Sequence, residues 1–174
     1  MGGSQGAKAI NSATVGVLKT LTHDLGLQVI FQTGKKNYDK VVAELNNVYP
    51  EFENDKNLLV RPYFDDMVTV LKASDIAVSR AGSLSISEIC ASGIAPIFAP
   101  YPYAAADHQR KNAKYVVGQG AGLYVEDADL TSEKLLELVK TLVEDENYLH
   151  QVQQKSLALA KFDGLQKIVE QING

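Results

Sequence analysis

The chain has 174 residues and a formal net charge of -4, which is enough for one domain with its own core and excludes the basic footprint of a nucleic-acid-binding protein. Hydrophobic residues make up 45% and charged residues 22%, as in ordinary globular proteins. The single cysteine, Cys90, lies in an apolar helical pattern, which indicates core packing in a reducing compartment rather than a disulfide. Three prolines interrupt the apolar stretch 94–106, and we expect a soluble chain without a membrane span.

Short apolar strands alternate with helical patterns along the chain. Strands are predicted at residues 28–33, 58–63, 76–80, 95–100 and 122–126. Apolar residues at helical spacing predict helices at residues 9–25, 38–49, 67–73, 85–92 and 111–117, and a helical tail with apolar stripes over residues 135–142 and 165–172. This alternation predicts a single α/β domain, a Rossmann-like doubly wound parallel sheet covered by helices on both faces.

The amino-terminal stretch "MGGSQGA" is a glycine-rich turn that feeds the first helix. Glycines let the backbone approach an anion, and the helix start offers free N–H groups. The stretch is neither G-x-G-x-x-G nor a Walker motif, and a plain tight turn capped by Ser4 is the alternative. Such turns ordinarily follow a strand, so we expect that the first strand of the sheet is absent. Its loss would leave a gap in the sheet or force an exchange with another molecule.

Ligands of doubly wound folds bind at the carboxyl ends of the strands, where the second predicted strand leads into "YFDDM", residues 63–67. Asp65 or Asp66 can cap the next helix. In the functional interpretation, the backbone at Phe64 hydrogen-bonds a planar base and Met67 packs beside it. A metal site is not predicted, because no histidine or third carboxylate has matching spacing.

The third strand leads into "SRAGSLSISEI", residues 79–89, where one carboxylate follows a serine-rich turn. Ser85-x-x-Glu88 has the spacing of a capping box, which is the structural interpretation of Glu88. Alternatively, Glu88 points into the strand-end crevice and accepts both hydroxyls of a ribose diol. Ser83, Leu84 and Ser85 would then present helix-start N–H groups to a phosphate.

The fourth strand leads into "PYPYAAADHQRKNA", residues 100–113. Asp107 is a plausible N-cap there, and His108 and Gln109 either contact sugar hydroxyls or face solvent. The D-x-D sequence at 127–129 precedes a helix, which favours capping over metal binding. The glycine-rich segment 118–122 precedes a strand and therefore cannot present a helix start to phosphate.

Taken together, "GGSQGA", "FDDM", "SRAGSLSISEI", "PYPYAAADHQRKNA" and "GAGLYVED" resemble the carboxy-terminal domain of the bacterial MurG family, in the family's order and over essentially the whole chain. This family transfers N-acetylglucosamine (GlcNAc) in peptidoglycan synthesis and has the GT-B fold, two Rossmann-like domains around a cleft. The resemblance implies that residues 1–174 form the domain that binds the donor, UDP-GlcNAc. The amino-terminal acceptor domain and the first strand would lie outside this chain.

The resemblance also assigns roles to individual residues. The assignments are Gly3, Ser4 and Gln5 to the diphosphate or sugar, Phe64 and Met67 to uracil, Ser83, Leu84 and Ser85 to phosphate, Glu88 to the ribose diol, and His108 and Gln109 to the glucosamine hydroxyls. It implies no metal or other cofactor.

The resemblance further implies an inverting displacement, in which the 4-hydroxyl of N-acetylmuramic acid in lipid I attacks the anomeric carbon of UDP-GlcNAc. The catalytic base and the lipid I site would belong to the absent domain, at the cytoplasmic face of the cell membrane. We therefore expect this chain alone to be inactive, and only the full-length protein to meet the membrane.

Two other interpretations stay open at the level of sequence. The chain could be a stand-alone subunit, of the eukaryotic kind that completes a transferase with a membrane-bound partner. It could instead be half of a UDP-GlcNAc epimerase, or a nucleotide-sugar-binding module without catalysis, because these share the architecture and a similar ribose carboxylate.

Overall fold

The computed structural model describes residues 7–160, in which strands and helices alternate as predicted. The strands are β1 (Val29–Gln32), β2 (Leu58–Arg61), β3 (Ile76–Ser79), β4 (Ala95–Phe98) and β5 (Leu123–Tyr124). The helices are α1 (Lys8–Lys19), α2 (Tyr38–Val48), α3 (Met67–Lys72), α4 (Ser83–Ala91), α5 (His108–Gly118), α6 (Ser132–Val143) and α7 (Glu146–Ala158). A π-helical turn, Thr20–Asp24, extends α1, and the predicted apolar stripe at 165–172 lies outside the described residues.

All strand pairings in this part of the chain are parallel, and they form two separate sheets. β1 pairs with β2, and β4 lies between β3 and β5. Within residues 7–160 no ladder joins β1 to β3. The pairing confirms the predicted parallel α/β class.

The core is built on β4, whose four residues are all buried. Side chains of a strand alternate between the two faces of its sheet. Ala95 and Ile97 therefore pack in a cluster with α1 and α6, whereas Phe98 packs in a cluster with α4 and α5. This two-faced burial explains why β4 is a continuous apolar run. It also fixes the carboxyl end of β4 between two helical layers, where the loop 99–104 begins.

Several strands end earlier than the sequence pattern suggests. β2 ends at Arg61 because the next residue, Pro62, has no N–H to donate to a ladder. β5 has only two residues, and the glycine before it, Gly122, lies tightly against β4. A Cβ atom at Gly122 would approach the Pro96 carbonyl oxygen to 2.9 Å.

No helix within residues 7–160 has the length and apolar character that a membrane crossing needs.

A buried polar network stabilises the amino-terminal edge of β2. The Tyr49 hydroxyl donates to Asp55 Oδ2 at 2.7 Å, and the Asn57 N–H donates to Asp55 Oδ1 at 2.8 Å. The Asp55 side chain is only 8% exposed. Burial tends to raise the pKa of Asp55, but these hydrogen bonds favour the carboxylate and leave the pKa below its usual value.

Replacing Asp55 with asparagine is therefore expected to lower the free energy of unfolding at pH 7 by about 1.5–3 kcal/mol, the usual worth of hydrogen bonds to a charged group. A folded pKa below the unfolded pKa means that the contribution is complete above the unfolded value of about 3.9. It is lost as the pH falls through the folded pKa. Urea unfolding at pH 7 and at pH 2.5 would measure this, and an equal deficit at both pH values would contradict it.

Candidate functional site

The turn after β3 presents an open helix start at the carboxyl edge of the sheet. Gly82 occupies the N-cap position of α4 in an extended conformation, with no side-chain capping hydrogen bond. The first backbone bond of the helix runs from the Ile86 N–H to the Gly82 carbonyl, at 2.9 Å. The N–H groups of Ser83–Ser85 therefore lack acceptors within the helix. Leu84 is 71% exposed, so this positive helix end faces solvent and can bind an anion.

Glu88 lies one turn further along α4, and the capping-box interpretation of it is wrong. α4 begins at Ser83, two residues before the predicted start, so Ser85 is the third helical residue and not the N-cap. A capping box needs the serine at the N-cap and the glutamate at the third position. Within residues 7–160 the half-buried Glu88 side chain makes no hydrogen bond or ion pair. Helical spacing places it on the face that carries Leu84 and Ser85.

The loop after β2 lies beside α4. Asp66 caps α3 by accepting from the Thr69 N–H at 3.0 Å and the Thr69 hydroxyl at 2.6 Å, which confirms the predicted cap. The Phe64 N–H donates to Oε1 of Gln32, the last residue of β1, at 3.1 Å. Met67 packs against the same buried cluster as Ile86 of α4. Phe64 and Met67 thus line a crevice that also contacts β1.

The loop after β4 is held in a strained conformation. Ala106 and Asp107 both have positive φ, 49° and 57°, which is costly for residues other than glycine. Asp107 occupies the N-cap position of α5, but its carboxylate binds Arg110 at 3.1 Å and does not cap, which corrects that prediction. Exposed His108 contacts the Ala105 carbonyl through Nδ1.

Gln109 braces the same loop. Its Oε1 accepts from the Tyr101 N–H at 3.0 Å. Asn112 Nδ2 donates to the Ala81 carbonyl at 3.4 Å and links α5 to the turn before α4. The predicted sugar-binding residues therefore belong to a segment that is tied to the open helix start.

Arg80 is a central residue that the sequence analysis missed. It is 6% exposed, and its Nη1 donates to the carbonyls of Ala99 and Pro100 at 2.8 and 3.2 Å. The same guanidinium pairs with Asp127. It thereby joins the carboxyl end of β3 to the segments that follow β4 and β5. The sequence feature that could have identified Arg80 is its position at the end of a predicted strand, in "SRAGS".

The D-x-D sequence has a different role from the predicted one. Asp127 pairs with Arg80 and does not cap α6; Thr131 caps α6 by accepting from the Lys134 N–H at 3.1 Å. Within residues 7–160, no group of three or more His, Cys, Asp or Glu side chains is arranged to hold a metal ion. Gly3, Ser4 and Gln5, predicted to face the diphosphate or sugar, lie outside the described residues.

Residues 7–160 bring an open helix start, a carboxylate without a polar partner among these residues, and a polar loop to one edge of a parallel α/β sheet. These are features of the nucleotide-binding doubly wound class. The chain matches the Glycosyltransferase family 28 C-terminal domain over residues 1–172. It belongs to that family, which confirms the resemblance noted in the sequence.

Individual relatives agree with this assignment. The chain is 34% identical to the UDP-N-acetylglucosamine--N-acetylmuramyl-(pentapeptide) pyrophosphoryl-undecaprenol N-acetylglucosamine transferase of Desulforamulus reducens, over 97% of this chain and 45% of that protein. It is 42% identical to the transferase of the same name from Leuconostoc citreum, over 84% and 39%. The crystal structure of Acinetobacter baumannii MurG matches with a TM-score of 0.80 and 30% identity, over 99% and 48%. The fold is thus one half of a GT-B glycosyltransferase, and the chain spans about half the length of these relatives.

Proposed function

We propose that this chain is the donor-binding domain of an inverting transferase that moves GlcNAc from UDP-GlcNAc to lipid I and so forms lipid II for peptidoglycan. The names of the relatives support the reaction. The observation that carries the proposal is Glu88, an unpaired carboxylate among the described residues, one turn beneath the open start of α4.

The diphosphate of the donor binds at the start of α4. The N–H groups of Ser83, Leu84 and Ser85 point out of the first turn and add hydrogen bonds to the positive end of the helix dipole. Glu88 accepts the two ribose hydroxyls, because an ionised carboxylate has only acceptors and a vicinal diol supplies two donors. A phosphate and a ribose are adjacent in every nucleotide, and the two groups of α4 are adjacent in the same way.

The two neighbouring loops complete the donor site. Uracil lies against Phe64 and Met67. The Phe64 N–H already donates to Gln32, which leaves the Phe64 carbonyl to accept the uracil N–H. His108 and Gln109 approach the glucosamine hydroxyls from the loop after β4.

In this reaction the acceptor hydroxyl attacks the anomeric carbon, the bond to the β-phosphate oxygen breaks, and UDP leaves with an additional negative charge. The start of α4 stabilises that charge by about 0.3–1 kcal/mol where it is exposed, and by more once a closed cleft excludes water. The base that takes the proton, and the lipid-linked acceptor, belong to the other half of the transferase. That half works at the cytoplasmic face of the membrane.

Calorimetric titration tests the proposal directly. UDP-GlcNAc is expected to bind this chain equally well with and without EDTA, and more tightly than UMP, which lacks the second phosphate and the sugar. UDP-glucose carries a 2-hydroxyl in place of the acetamido group of UDP-GlcNAc. The ratio of the two dissociation constants measures how strongly the site, including the loop after β4, distinguishes the two sugars. Turnover of lipid I by this chain alone would contradict the assignment of the base and the acceptor site to the other half of the transferase. Failure of all three ligands to bind the folded chain would contradict the donor site.

A further inference from the structure

Arg110 joins two carboxylates beside the loop that follows β4. Its Nη1 donates to Asp107 Oδ2 at 3.1 Å, and its Nε lies 3.1 Å from Glu126 Oε1. Asp107 directly precedes α5, and Glu126 lies two residues after the end of β5. These contacts, here called the Arg110 bridge, therefore tie the first turn of α5 to the carboxyl end of β5.

The position of Arg110 in α5 is unfavourable without the bridge. Arg110 is the third residue of the helix, and the first turn contains no acidic residue. A cation there faces the positive end of the helix dipole. The two carboxylates offset this repulsion, and because the Arg110 side chain is only 34% exposed, solvent screens the pairs only in part.

The bridge competes with helix capping for the Asp107 carboxylate. An N-cap residue ordinarily has an extended backbone, which places its side-chain oxygen on an N–H of the second or third helical residue. Asp107 instead has φ 57° and ψ 27° and makes no side-chain capping bond. Ala106 before it is also left-handed, with φ 49°. Such a backbone persists only where its surroundings impose it, and the pair with Arg110 favours it over the capped conformation.

The two conformations of Asp107 direct the preceding loop differently. The buried face of α5 fixes the helix, so a change of φ at Asp107 moves the loop before it. That loop orients two side chains: the Tyr101 N–H donates to Gln109 Oε1 at 3.0 Å, and the Ala105 carbonyl contacts His108 Nδ1. The start of α4 lies on another helix and does not depend on this φ. Loss of the bridge should therefore disturb the sugar end of the site and leave the nucleotide end intact.

We propose that Arg110 is a positioning residue for the sugar end of the donor site, because it holds Asp107 in the left-handed conformation and thereby orients His108 and Gln109. The inference rests on the proposed function, in which these two side chains meet the glucosamine hydroxyls. Arg110 acts through the loop and not through a contact of its own with the sugar.

Calorimetry with two ligands tests this role, because UDP-GlcNAc occupies both ends of the site and UDP lacks the sugar. Arg110→Met is expected to weaken UDP-GlcNAc binding about fivefold or more and to change UDP binding by less than about twofold. Lys140→Met is the matched control. It removes one positive charge from another helical ion pair, with Lys140 42% exposed and 4.0 Å from Glu144, and should affect neither ligand.

A double variant separates the conformational role of Arg110 from its charge. Asp107→Gly removes the carboxylate that could cap α5, and glycine adopts positive φ without the steric cost. Asp107→Gly combined with Arg110→Met should therefore bind UDP-GlcNAc more tightly than Arg110→Met alone. Absence of this recovery would overturn the proposal. If Arg110→Met does not fold, Glu126→Gln replaces it, since that change loosens the other end of the bridge.

Hydrogen exchange of the Tyr101 amide reports the loop without any ligand. Gln109 accepts from this amide, so Arg110→Met should speed its exchange while the amides of β4 keep their rates. If the parent chain binds neither ligand, the proposed function fails, and the Tyr101 exchange rate alone decides whether Arg110 holds the loop. Unchanged exchange, unchanged UDP-GlcNAc binding, or equal weakening of both ligands would each overturn the inference.

Discussion

Replacing Glu88 with alanine is expected to weaken UDP-GlcNAc binding about tenfold or more, or ~1.4 kcal/mol, with little change in stability. The carboxylate is half-buried and makes no hydrogen bond or ion pair within the described residues, so its removal breaks no polar contact there. In the complex, however, the two ribose hydroxyls would lose their acceptor. Glu88→Gln should have an intermediate effect, because an amide keeps one acceptor oxygen but loses the charge.

A matched control for Glu88 exists in α2. Glu44 also lies within a helix, its side chain is 40% exposed, and it pairs with Lys40 at 3.6 Å. Glu44→Ala is expected to leave the dissociation constant of UDP-GlcNAc within about twofold of the parent, the usual range of a surface change. Calorimetry of both variants with UDP-GlcNAc and with UMP measures the difference. If Glu88→Ala binds the donor as tightly as the parent chain, Glu88 is not part of the donor site.

Replacing Arg80 with methionine is expected to lower the free energy of unfolding by about 3–5 kcal/mol, the cost of leaving one partner of a buried ion pair alone. The guanidinium holds the carbonyls of Ala99 and Pro100 as well as Asp127, whose side chain is 22% exposed. Methionine fills a similar volume but satisfies none of these acceptors. Three strand-end segments would lose their common contact, so donor binding should weaken even under conditions that keep the variant folded.

The exposed pair Lys19–Glu51 provides the comparison for Arg80. Its Nζ and Oε1 atoms are 2.8 Å apart, with both side chains at least half exposed. Glu51→Gln should change stability by less than about 1 kcal/mol. Adding Asp127→Asn to the Arg80 variant should restore part of the loss, because no uncompensated carboxylate then stays in the site. Urea unfolding of these variants measures their free energies of unfolding. If Arg80→Met lowers this free energy as little as Glu51→Gln does, the buried contacts of Arg80 do not stabilise the fold as proposed.

The positions of the site residues were predictable because they depend on a local pattern. Alternating apolar strands and helices predict a parallel sheet, and a parallel sheet collects its strand ends at one edge. Phe64, Glu88 and Gln109 could therefore be assigned to that edge from the sequence. The start of α4 was less predictable, because Ser83 and Ser85 are both better N-caps than the glycine that occupies the position.

Other features depend on contacts between residues far apart in the chain. Arg80 joins acceptors 19 to 47 positions away, and Phe64 binds a glutamine 32 positions earlier. No periodicity or spacing indicates such partners. The left-handed backbone at Asp107 was unpredictable for a related reason: the loop that imposes it is fixed by α5 and Gln109, not by a glycine in the sequence.

The division of the sheet also has a consequence for how the domain unfolds. The β1–β2 sheet has its own buried cluster, which includes Phe31, Leu45 and Tyr49, and the β3–β4–β5 sheet has another, around Ile89 and Phe98. A third and larger cluster links the two sheets through α1, because Val29 of β1 and Ile97 of β4 both pack in it. The two sheets are therefore expected to melt in one transition, with equal calorimetric and van't Hoff enthalpies. Stability changes measured at Asp55 and at Arg80 would then refer to the same transition.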